Sequence, residues 1–216
     1  MIKFTAHKNR GMTHSMFSQR HPEYSRGMTY VELVVVLGIM AVLSSVVMFN
    51  HGKFQAKIDV KTLANDIALK VVEAQKSSIN GDWRAGFCSN CKPSYGLYFH
   101  TNASTRLVYF ADLDNNEVCA SPNCVPPVYS VGGEVLDVVS ITRGKTISSL
   151  EVFGTGGCPA TVTNLTIVFK RPNSSPVIDS TPGLGCNVSY VAVNIASPQG
   201  ASAKIKVYAS GRVQIN

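Results

Sequence analysis

Between Val31 and Phe49 a single residue, Glu32, is ionisable, and this apolar run constrains the fold more than any other segment. As a helix its roughly 19 residues, at about 1.5 Å each, reach about 28 Å, close to the hydrocarbon thickness of a bilayer. A carboxylate placed in lipid costs roughly 2.5 to 3.5 kcal/mol at the bilayer centre and less toward the face. Glu32 therefore needs a partner there.

The residues leading into the run are Arg26-Gly27-Met28-Thr29-Tyr30-Val31-Glu32. They resemble the cleavage and methylation site of type IV prepilins and type II secretion pseudopilins. Met28, Tyr30 and Val31 replace the usual Phe, Leu and Ile of Gly-Phe-Thr-Leu-Ile-Glu, and all three stay apolar or amphipathic. The resemblance implies that a prepilin peptidase on the cytoplasmic face cuts after Gly27 and methylates the new amine of Met28. It also implies that Glu32 pairs with the Met28 ammonium of a neighbouring subunit, neutralising two charges in an apolar filament core. An ordinary signal anchor with an incidental Glu32 is the plain alternative.

Residues 1–27 then form a cytoplasmic leader. Lys3, Lys8, Arg10, Arg20 and Arg26 against Glu23 hold most of the net charge of +7, so the basic balance is not a nucleic-acid footprint. The leader lacks an apolar stretch of its own, unlike a secretory signal, whose apolar region precedes its cleavage site. Charges flanking the span, Arg20 and Arg26 against Lys53, Lys57 and Lys61, are nearly balanced and leave the orientation open. The resemblance decides it: a single pass through the inner membrane with everything after Phe49 outside the cytoplasm, and later residence in a pilus or pseudopilus. Beyond the span the chain is long enough for one compact head.

After the span, Phe54, Ile58, Leu63, Ile67, Val71 and Val72 recur at helical spacing, with Lys57, Lys61, Asp66, Lys70 and Glu73 between them. Asn80-Gly81 supplies a stop. Residues 28–80 are expected to be essentially one helix, roughly 78 Å long from Met28 to Ile79 at about 1.5 Å per residue. Gly38 and Asn50-His51-Gly52 weaken it, and a bend or local melting is expected near Gly52. From Tyr95 onward short β-branched and aromatic runs alternate with Pro, Gly, Asn and Ser. Strands are expected at residues 95–99, 107–111, 135–141, 149–153, 165–170 and 190–195, with a closing hairpin over 203–215 turning at Ser210-Gly211. The fold class is α+β: a long N-terminal helix packed on a single, mainly antiparallel β head spanning 81–216.

The long helix, the Leu63-Ala64-Asn65-Asp66-Ile67 segment, the β-rich head and a terminal Ser-Gly-Arg strand together resemble the GspH/FimT group of minor pilins and pseudopilins. The group implies a structural subunit of a type IV pilus or type II secretion pseudopilus. Its partners would be other filament subunits, prepilin peptidase and an inner-membrane assembly platform. The alternative within the group is a tip subunit for adhesion or DNA uptake.

Cys88, Cys91, Cys119, Cys124, Cys158 and Cys186 all lie beyond the span, and an even number outside the cytoplasm suggests disulfides. Of 15 possible pairings, clustering favours Cys88 with Cys91, Cys119 with Cys124, and Cys158 with Cys186. Four thiolates from the first two pairs could instead hold zinc. Asp112-x-Asp114-x-Asn116 places oxygen ligands like the start of a calcium loop. Glu117 stands where an EF-hand needs Gly and Asn123 where it needs a bidentate Glu, so a single irregular calcium site competes with a polar turn. Some DNA-uptake members carry a C-terminal Gly-Arg-x-Arg that would contact phosphates. Here Gly211-Arg212-Val213-Gln214 has one of the two arginines, which favours a solvent-facing Arg212 over a nucleic-acid contact. Beyond the leader only His51 and His100 remain, with no nucleophile motif or phosphate loop beside them, so no catalytic residue and no enzyme is expected. Asn102, Asn164, Asn173 and Asn187 begin glycosylation-type triplets that an Asn-, Ser- and Thr-rich chain produces by chance.

Overall fold

The computed structural model describes residues 27–81, 92–119, 124 and 133–216. The chain divides into two compact units, Met1–Ser44 and Ser45–Asn216, and the first helix, α1 (Tyr30–Asn80, 51 residues), has residues in both. In the first unit every described residue is exposed, as an apolar helix without a protein partner must be. The helix is long and apolar enough to cross a membrane.

Glycine does not interrupt α1. The expected melting near Gly52 is absent, since helix runs through Gly38, Asn50 and Gly52 to Asn80. A cost of about 1 kcal/mol per glycine is small against the cooperative ladder on either side. The end comes where expected: Gly81 takes the left-handed conformation (φ 64°) and its N–H donates to the Ser78 carbonyl at 3.2 Å.

In the second unit α1 packs through Val60, Leu63, Ala64, Ile67, Ala68, Val71 and Ala74, one stripe at i, i+3/i+4 spacing. Phe54 and Ile58, expected on that stripe, are exposed instead. At about 100° per residue Ile58 lies roughly 180° from Ile67, so the two belong to opposite faces. Small residues, Ala64, Ala68 and Ala74, take the places between the large ones on that stripe.

The head holds two five-stranded antiparallel sheets, in keeping with the α+β class and the mainly antiparallel head expected from the sequence. The first contains β1 (Ser94–His100), β2 (Arg106–Asp112), β3 (Val135–Ser140), β6 (Asn164–Phe169) and β7 (Pro176–Thr181), in the order β3-β2-β1-β6-β7. The second contains β4 (Thr146–Thr155), β5 (Thr161–Val162), β8 (Asn187–Ala196), β9 (Ser202–Tyr208) and β10 (Val213–Ile215), in the order β10-β9-β8-β4-β5. One core joins α1 to Leu97, Phe99, Leu107, Leu165, Ile167 and Phe169 of the first sheet and to Leu150, Val191, Val193, Ile195, Ile205 and Val207 of the second. A second cluster, Tyr98, Val108, Phe110, Val135, Val168 and Cys124, covers the other face of the first sheet. Buried on both faces, β1, β2 and β6 are almost continuously apolar, whereas β8 and β9 alternate because their outer face meets solvent.

Polar ties fix the helix to the loops. The Ser78 hydroxyl donates to the Phe169 carbonyl, and Gln75 Nε2 donates to the carbonyls of Ser174 at 2.9 Å and Gly211 at 3.4 Å. Two disulfides form as expected: Cys119–Cys124, with Cα atoms 5.9 Å apart, and Cys158–Cys186 at 5.1 Å. Cys88 and Cys91 lie outside the described residues. With Cys119 and Cys124 bonded to each other, the four-thiolate zinc site has lost two of its ligands, which corrects that alternative.

Candidate functional site

Thr29 is the last residue before α1, and its side chain explains why the helix begins there. Thr29 Oγ1 accepts from the Glu32 backbone N–H at 3.3 Å, and its carbonyl accepts from Leu33 N–H at 3.1 Å. Thr29-x-x-Glu32 is thus the spacing of a capping box, with the threonine as cap and the acid three residues on. Glu32 sits in the first turn, where a negative charge faces the positive end of the helix dipole. That spacing is legible in the sequence alone, as Thr followed three residues later by Glu before an apolar run. Gly27, Met28 and Glu32 are all exposed. The Glu32 carboxylate makes no hydrogen bond or ion pair with another described residue, so it is available to a charge brought from outside.

A second candidate lies where β2 ends. Asp112, Asp114 and Glu134 bring carboxylate oxygens within 4.8 Å of one another, Asp112 and Glu134 being buried. The antiparallel pairing of β2 and β3 builds the cluster: Ala111 N–H donates to the Glu134 carbonyl at 2.9 Å, and Leu113 N–H donates to Glu134 Oε1 at 3.3 Å. Asp112 Oδ1 and Oδ2 accept from the N–H groups of Asn116 at 3.1 Å and Glu117 at 3.2 Å. Burial, together with Asp114 and Glu134 beside it, pushes the Asp112 carboxyl up to about 6, against the opposing Glu117 N–H.

Asn116, expected as a third calcium ligand, is hydrogen-bonded within the turn. Its amide nitrogen donates to Asp114 Oδ2 at 2.7 Å and its amide oxygen accepts from Val118 N–H at 2.9 Å. Glu134 adds a carboxylate that the Asp112-x-Asp114-x-Asn116 motif does not include. Three carboxylates form a hard-oxygen donor set suited to calcium or magnesium and unsuited to a thiophilic metal. The same bonds also make a closed polar turn, with Asn115 and Glu117 left-handed at φ 59° and 66° and Lys170 paired to Glu117 at 2.8 Å.

Arg212 is placed by the turn between β9 and β10. Its guanidinium lies over the Tyr208 ring at 4.2 Å from the centroid, on the outer face of the second sheet. Register puts Phe153 opposite Tyr190 and Tyr190 opposite Tyr208, with ring centroids 4.6 and 5.4 Å apart. Lys204 and Lys206 extend over Phe153 and Tyr190. Sequence reasoning isolated Arg212 and missed this row, because the three aromatics come from strands distant in the chain. Tyr190-x-Ala192 and Lys204-x-Lys206-x-Tyr208 alternation was the available signal.

No protein-family profile, curated protein or solved structure matches this chain.

Proposed function

We propose that the protein is a filament subunit of the minor pilin or pseudopilin kind, cut after Gly27 and assembled through α1. The observation that carries this reading is the coincidence, at one helix start, of Gly27, Met28 and Glu32 with a membrane-length run that has no other ionisable residue. The head adds support. Beyond its core stripe α1 keeps a second apolar face with Phe54, Ile58 and Leu69 exposed, and Leu69 and Val72 line an open groove of about 380 Å³ with Val213 and Ile215. Exposed apolar area of this kind marks a surface used by a partner.

Assembly then works by exchange of environment. Helices leaving the lipid meet one another, and the Glu32 carboxylate meets an amine at Met28 of a neighbour, so two charges are neutralised together. No catalytic group is assigned. Intact mass spectrometry of chain extracted from membranes of a host with an active prepilin peptidase is expected to show loss of residues 1–27 and gain of one methyl group. Retention of residues 1–27 there would overturn the reading.

A tip-binding role is the second reading, favoured by the outer face of the second sheet, where Lys204, Lys206 and Arg212 overlie an aromatic row. The cations rest on the ring faces, so this surface offers positive charge and ring edges. Salt-sensitive binding of an acidic ligand that is lost in Lys206→Ala with Arg212→Ala would distinguish a tip subunit from a shaft subunit.

A further inference from the structure

A cleft of about 320 Å³ opens beside the first turns of α1 beyond the apolar run, lined by His51, Gln55, Asp59, Arg143, Lys145 and Gln199 among others. We propose that it is a phosphate site, and that its occupant is the headgroup phosphate of an anionic phospholipid. The proposal rests on the membrane-spanning reading of α1 for the source of the phosphate, and on the cleft itself for the chemistry.

Three segments converge to build it. Helix α1 supplies His51, Gln55 and Asp59. The turn between β3 and β4 supplies Arg143 and Lys145, with Arg143 held left-handed at φ 61° and Gly144 at φ 69°. The turn between β8 and β9 supplies Gln199, whose Oε1 accepts from the Ser197 hydroxyl. Arg143 reaches Asp59 with one nitrogen only, Nη1, at 3.0 and 3.2 Å from the two carboxylate oxygens. Among the described residues its Nη2 and Nε have no partner, and the side chain is 67% exposed. Lys145 is buried, with Nζ donating to the Asp59 carbonyl at 3.3 Å.

The arrangement suits a phosphate for two reasons. A guanidinium already oriented on one side by a carboxylate presents its remaining N–H groups in a fixed fork, the geometry that takes two phosphate oxygens. The charges also favour an anion, since Arg143 and Lys145 outweigh Asp59 among the lining residues. A structural clamp between Asp59 and Arg143 would need neither an open cleft nor the unused donors.

The lipid source is set by position along the chain. His51 comes directly after the apolar run and its neighbouring Asn50. Headgroup regions extend roughly 5 to 8 Å beyond the hydrocarbon on each side, a distance that about three to five helical residues cover. His51, two residues past Phe49, therefore falls at headgroup depth, and Asp59, about 15 Å along the helix from Phe49, marks the far end of the cleft, so a lipid phosphate enters from the His51 side.

The test uses the full chain in detergent micelles doped with either phosphatidylglycerol or phosphatidylcholine, with retained lipid counted by native mass spectrometry. Phosphatidylglycerol should be retained in preference, and Arg143→Gln should reduce that retention about tenfold, the worth of one charge-assisted contact. Asp59→Asn removes the opposing negative charge and should raise retention severalfold. A clamp role predicts the reverse pattern, with both variants melting earlier and neither changing the preference between lipids. Titration with inorganic phosphate and glycerol phosphate separates the sources. Binding of these that depends on Arg143, without any preference for phosphatidylglycerol, would support the phosphate site and exclude the lipid. No Arg143-dependent binding in either arm would overturn the proposal. Liposome flotation is scored separately: a chain that fails to insert sinks the membrane reading while the phosphate titration still reports on the cleft.

Discussion

Asp112 binds its proton more tightly in the folded chain than in the unfolded one, because burial and two neighbouring carboxylates oppose its charge. The stability it contributes is therefore full below its ordinary value of 3.8 and is lost as pH rises through about 6. A divalent cation would reverse that loss by neutralising the cluster. Thermal melts of the full chain are expected to show calcium raising the midpoint at pH 7.5 and having little effect at pH 5, with Asp112→Asn abolishing the difference. A midpoint indifferent to calcium at both values would mean that the loop is a self-contained turn. Gly211 makes a second prediction. It sits at φ 84°, and a Cβ there would lie 2.2 Å from the Ser174 carbonyl oxygen and 2.6 Å from Gln75 Nε2. Gly211→Ala should cost about 2 to 3 kcal/mol by denaturant titration, through left-handed strain and a displaced helix tie. The need for this glycine was legible in the sequence as a Ser-Gly turn. Glu134 was not, since its place beside Asp112 depends on strand register and not on spacing along the chain.

Helix α1 shows how an element can be found from periodicity while its buried face is misassigned. Phe54 and Ile58 are large and apolar and recur at a helical interval, yet a continuous phase count sets them opposite Ile67. Ile67→Ala should therefore destabilise the head by about 2 to 5 kcal/mol, and Phe54→Ala should leave its melting nearly unchanged. Equal losses from the two would mean that both faces are packed. Strands matched their composition where they were long: β1, β2, β4 and β8 each contain the run expected of them, and β3 and β6 stop one residue short of theirs. Strands β5 and β7 escaped notice for identifiable reasons. β5 has two residues, and β7 begins with Pro176 at a sheet edge, where a missing N–H is tolerated and the usual argument against strand fails. The Cys158–Cys186 bridge closes a separation of 28 residues, for which the chain-entropy model gives about 3.5 kcal/mol.

At the scale of the whole molecule, two sheets share one core with half of a helix, and that partition lies in pairings such as β1 with β6 and β4 with β8 that local alternation cannot reveal. In the first unit every described residue of the helix is exposed, and the helix is long and apolar enough to cross a membrane. Glu32 stands in the first turn at the acid position of a capping-box spacing, where its charge faces the positive helix end in a single chain, and its free carboxylate suits an amine from a second one. The two roles separate by substitution. Glu32→Gln can still serve as the third residue of a capping box but cannot neutralise an ammonium, whereas Glu32→Ala loses both. If the charge matters, both variants should be cleaved after Gly27 and both should be depleted from sheared filaments relative to membranes. Removing one member of a buried ion pair costs about 3 to 5 kcal/mol, enough to lower incorporation by more than a hundredfold at equilibrium. If only helix initiation matters, Glu32→Gln should assemble like the unmodified chain and Glu32→Ala alone should fail. Equal incorporation of all three forms would remove the electrostatic pairing from the account of assembly and leave the apolar face of the helix as its driving force.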